Sequence, residues 1–93
     1  MAQKSFTFTA NAETESFNCR NLDVYFGDSN KNTFGGGTVA LQTRCNPNHG
    51  WTVDSTYTAQ GVVKSTSTMA FEGRFVLTGA TSPDLIIHII TDE

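Results

Sequence analysis

Apolar and polar residues alternate with a period of two along most of this chain. Phe6, Phe8 and Ala10 alternate with Ser5, Thr7 and Thr9, which predicts a strand with one buried face and one wet face. After a polar stretch in which Phe17 and Cys19 predict a further short strand, Leu22, Val24 and Phe26 repeat the pattern. Val39, Leu41 and Thr43 then alternate with Thr38, Ala40, Gln42 and Arg44. Trp51 and Val53 open the next run, and Tyr57, Ala59 and Val63 keep its parity. Met69 with Phe71, and Phe75 with Leu77, supply two more, and Leu85 to Thr91 forms the last. No segment carries the period of an amphipathic helix.

Turn-forming residues separate these runs. Gly27-Asp28-Ser29-Asn30-Lys31-Asn32 predicts a loop, and Gly35-Gly36-Gly37 leads into a strand. Asn46-Pro47-Asn48-His49-Gly50 and Gly79-Ala80-Thr81-Ser82-Pro83-Asp84 carry the residue types that tolerate tight turns. Seven or eight short strands at regular spacing predict an all-β fold, a single antiparallel β-sandwich or jelly-roll-like domain. No composition break or internal repeat divides residues 1–93, so one domain is expected, with residues 1–5 as a candidate flexible arm.

The last run differs from the others. Leu85, Ile87 and Ile89 point one way, and Ile86, His88 and Ile90 the other. A strand with one wet face has no need of isoleucine on both sides. Either it is central and covered on both faces, or one face meets another subunit. The second reading makes Ile86, His88 and Ile90 candidate oligomer-interface residues.

Composition narrows the function classes. At 93 residues the chain is near the lower end of what buries an adequate core unaided, so a partner subunit is expected to contribute. The net charge is −3 and the six basic residues are scattered. No basic stripe is present to neutralise phosphates, which argues against nucleic-acid binding. The N-terminal residues lack a signal-like apolar run, and Leu85 to Ile90 is too short to span a bilayer. Synthesis in a cytoplasm is expected, with no membrane partner. Cys19 and Cys45 are then two free thiols by default, open to pairing after release if the fold brings them together.

Candidate chemistry is sparse. The triple glycine is followed by strand-like Thr38-Val39-Ala40-Leu41-Gln42 rather than the helix a phosphate loop requires, so the glycines are expected to bend the chain into a strand. Cys45 and His49, with Cys19 and His88 at a distance, lack the paired close spacing of a structural zinc site. No serine has a nucleophile-elbow context, and an enzyme reading requires a pocket uniting His49 or His88 with a carboxylate and a nucleophile. No catalytic residue, cofactor or metal is therefore expected. Strand parity places most aromatics inward and leaves Tyr25 as the best exposed candidate for a sugar platform, so a carbohydrate-binding module is the alternative from another class.

The stretch from Gly35 to Ile89 resembles small structural proteins of tailed-phage virions. The matching pieces are Gly36-Gly37-Thr38-Val39-Ala40-Leu41-Gln42, a turn ending Gly50-Trp51, Tyr57-Thr58-Ala59-Gln60-Gly61, and Arg74 to Leu85. The resemblance covers a little over half the chain and leaves its first third unmatched. It implies a non-catalytic β-sandwich or jelly-roll module located in the virion. The leading role is capsid decoration (cement), in which a homo-oligomer, dimer or trimer, binds the major capsid protein. A tail, fibre or head-tail component is the nearby alternative.

Overall fold

The computed structural model describes residues 2–18, 21–66 and 72–91; Met1, Cys19, Met69 and Phe71 lie outside the described residues. Within these, every regular element is a strand: β1 (Ala2–Phe8), β2 (Ala12–Glu13), β3 (Leu22–Phe26), β4 (Asn32–Thr33), β5 (Thr38–Arg44), β6 (Thr52–Tyr57), β7 (Gly61–Thr66), β8 (Glu72–Thr78) and β9 (Asp84–Thr91). One sheet has the order β1-β9-β3-β7, with the two-residue β4 added against β9, and the other has the order β2-β8-β5-β6. All pairings are antiparallel.

This order has a simple origin. The pairs β1–β9, β2–β8, β3–β7 and β5–β6 are the rungs of one long antiparallel hairpin whose tip lies between β5 and β6. Rolling that hairpin up adds β3–β9 and β5–β8 and splits its rungs between two sheets. With β4 set aside, these eight strands are wound as a jelly roll.

The core lies between the sheets, built from the alternating residues that the periodicity singles out. Leu22, Val24 and Phe26 on β3, Val39 and Leu41 on β5, Phe75 and Leu77 on β8, and Leu85, Ile87 and Ile89 on β9 are all buried. An aromatic line runs through it. Phe17 stacks on Phe75 at 5.2 Å between ring centroids, Phe75 meets Phe26 at 5.9 Å, and Phe26 meets Tyr57 at 4.4 Å. Such contacts add to the area term. Phe17, expected in a short strand, makes only an isolated bridge to Gly73 and is buried in the core.

Two expectations are corrected. Residues 2–5 form no arm: they pair with β9 from Ala2 opposite Thr91 to Ser5 opposite His88. Trp51 and Val53 do not share the inward parity of Tyr57. A bulge shifts the register between Leu41–Ser55 and Gln42–Val53 and leaves Asp54 as the extra residue. A one-residue slip moves every preceding side chain to the opposite face, so Val53 is 55% exposed.

The glycine run acts by close approach. Gly35 and Gly36 have φ of +65° and +76°, and Gly37 N–H closes the turn on the Phe34 carbonyl at 3.1 Å. A Cβ on Gly35 would lie 2.5 Å from the Thr81 carbonyl oxygen, and one on Gly37 would lie 2.7 Å from that of Thr78. The segment nests against the β8–β9 turn, then enters β5.

Candidate functional site

Ile86, His88 and Ile90 stand together on the outer face of the β1-β9-β3-β7 sheet. β9 is flanked by β1 and β3, so it is central, and its inner residues are completely buried while these three remain half-buried. Cross-strand pairing arranges the outer face in rows. Ser5, His88, Tyr25 and Val62 form the middle row, Gln3, Ile90 and Asp23 lie on one side, and Thr7 and Ile86 on the other. Val62 is 53% exposed. The result is a surface of mixed aliphatic, aromatic and hydroxyl groups. Exposed sheet faces are ordinarily more polar than this.

A polar seam crosses that surface. Ser5 Oγ is 2.7 Å from His88 Nδ1, and His88 Nε2 is 3.5 Å from Asp28 Oδ2. Asp28 also accepts hydrogen bonds from the backbone N–H groups of Lys31 and Asn30, each at 2.8 Å. These bonds, Lys31's first, together with the weaker His88 contact, hold its carboxyl below the ordinary carboxylate value. An ionised carboxylate only accepts, so Nε2 carries a proton towards Asp28; in the neutral imidazole Nδ1 then accepts from the Ser5 hydroxyl. The fold thus unites His88 with a carboxylate and a hydroxyl, the grouping an enzyme reading requires. It does so along an open sheet face, with Ser5 exposed on the outermost strand.

The other sheet carries a second outer cluster at the hairpin tip. Arg44 is paired with Glu72 and donates to the Pro47 carbonyl at 3.4 Å, and Arg74 is paired with Glu13 at 3.1 Å and donates to Gln42 at 2.9 Å. Both guanidinium groups lie against the Trp51 ring, 4.4 and 4.6 Å from its centroid, within cation–π range. Glu72 lies below its ordinary value because of its hydrogen bond with Ser16 and, after that, its bond and charge pairing with Arg44. Trp51 and Tyr25 are therefore on outer faces of opposite sheets, so they form no joint aromatic platform.

Cys45 and His49 are both exposed in the β5–β6 turn, and His88 belongs to the opposite sheet. Among the described residues no three His, Cys, Asp or Glu side chains gather to hold a metal ion, and no helix is long and apolar enough to cross a membrane. The residues that pattern reading missed are Asp28, Arg44 and Arg74. Asp28 meets His88 across sixty residues; no local signal announces that contact. Arg44 and Arg74 carried the outward parity, but the arginine–tryptophan cluster was hidden by the bulge that turns Trp51 outward. No protein-family model, curated protein or solved structure matches the chain.

Proposed function

We propose that this chain is a non-catalytic structural protein of a tailed-phage virion, most simply a capsid decoration protein that self-associates and binds the major capsid shell. The observation that carries the reading is the outer face of β9, where half-buried Ile86 and Ile90 flank His88 on a central strand. A small subunit gains stability by burying such a face against a neighbour. The jelly roll supports the reading by analogy only, since viral capsid domains are among its users. A tail or head-tail component would use the same face on a different neighbour.

The purified chain is expected to run as a discrete dimer or trimer by light scattering after gel filtration. Ile86→Asp and Ile90→Asp are expected to convert it to a folded monomer with unchanged far-ultraviolet circular dichroism. A wild-type monomer at all concentrations overturns the self-association. In density gradients of phage made by the encoding host, the chain is expected to travel with heads; recovery only in the soluble fraction overturns the virion role. Labelling of Ser5 by a fluorophosphonate probe would contradict the non-catalytic part.

A further inference from the structure

We infer that Trp51, with Arg44, Arg74 and Glu13 around it, is a binding platform for a neutral carbohydrate. This goes beyond the assembly reading and uses the opposite sheet, so each stands or falls alone. The first support is the bulge at Asp54. It works against the alternation of its own strand, placing Trp51 and the 55%-exposed Val53 on the wet face. Bulges that re-aim side chains recur beside binding sites.

The second support is how the indole is held. Arg44 and Arg74 keep side-chain exposures of only 22% and 21%, although both stand on an outer sheet face. Both guanidinium groups lie against the indole ring, which is itself half-buried. A tryptophan fixed by two guanidinium groups, each anchored by a carboxylate, loses little side-chain freedom on binding. Its half-buried ring, on the same side of the strand as the exposed Val53, is the apolar surface assigned to the C–H face of a pyranose ring.

The third support is charge. The two arginines are matched by Glu72 and Glu13, so the cluster is electrically balanced. An anionic ligand would have to displace a carboxylate from an existing pair. A neutral sugar does not, because vicinal hydroxyls both accept from guanidinium N–H groups and donate to carboxylates. Glu13, 60% exposed, presents acceptor oxygens at the rim of the platform.

Trp51 is the sole tryptophan, so its fluorescence reports on the site directly. Full-length protein titrated with cello-, malto-, manno- and chito-oligosaccharides is expected to show a saturable emission change with at least one of them, in the millimolar range or tighter. By calorimetry, Trp51→Ala is expected to abolish that binding, Trp51→Phe to retain a weakened form, and Arg74→Leu to weaken it about tenfold. Absence of any change with all four series overturns the inference. A response only to heparin or polyphosphate overturns it equally, because the site would then be anionic. Binding that survives in Trp51→Ala places the sugar elsewhere and rejects the platform.

Discussion

The glycine run shows how much one side chain can decide. Gly35 and Gly36 both have positive φ, but their surroundings differ. A Cβ at Gly36 meets nothing within 4 Å, whereas at Gly35 it collides with the Thr81 backbone. Gly36→Ala therefore carries only the left-handed backbone cost, about 1–2 kcal/mol. Gly35→Ala adds displacement of the β8–β9 turn, including the 2.9 Å bond from Thr81 N–H to the Gly35 carbonyl, and is expected to cost about 3 kcal/mol or more. Urea denaturation of the two variants checks the order; equal losses would show that the turn yields freely. Phe75 is a hub of the core, since it contacts Phe6, Phe17 and Phe26 and is fully buried. Phe75→Ala is expected to destabilise by about 3–5 kcal/mol.

At the scale of the element, β6 and β9 test the alternation rule in opposite ways. β9 obeys it completely: Leu85, Ile87 and Ile89 are buried, Ile86, His88 and Ile90 are half-buried, and Asp84 is exposed. The identities and parity of the strand were legible because nothing interrupts the period of two. β6 breaks the rule at Asp54, and no residue type marks the bulge, so Val53 read as core while the fold exposes it. The contrast is measurable. Val53→Asp is expected to change stability by no more than about 0.5 kcal/mol, as at an ordinary surface site. Leu41→Asp, inward on the paired strand and 1% exposed, is expected to abolish folding because it buries an unpaired charge. If Val53→Asp unfolds the protein, the bulge is misplaced. β1 adds a different lesson. As an edge strand it carries Lys4 opposite Ile89, on the core-facing side and exposed, a charge that discourages edge-to-edge pairing.

For the whole molecule, the all-β class was legible but the full set of strands and their winding were not: the run from Trp51 to Val63 is two strands, β6 and β7, in different sheets, and the decisive pairings join distant segments. Ala2 opposite Thr91 closes the full chain, and Arg44–Glu72 and His88–Asp28 bridge β5 to β8 and β9 to the loop after β3. Patterns of period two fix which face a residue occupies, not which strand lies beside it. These long-range carboxylate contacts have a consequence in acid. Asp28 and Glu72 both lie below their ordinary values of 3.8 and 4.5, chiefly through hydrogen bonds from Lys31 N–H and with Ser16. The unfolded chain therefore takes up protons at a higher pH than the folded one, and stability rises with pH across that window. Their contribution is complete above those ordinary values and is lost as the pH falls through the lower folded ones. Asp28→Asn keeps an oxygen for the Lys31 and Asn30 N–H groups while removing the charge, and Glu72→Gln does the same beside Arg44. The double variant is expected to melt below the wild type near neutrality. The gap should close as the pH falls from above those ordinary values through the lower folded ones, because the wild type then becomes neutral at the same positions. Melting followed by circular dichroism across that range tests the assignment; a gap that stays constant would place the acid sensitivity in other carboxylates.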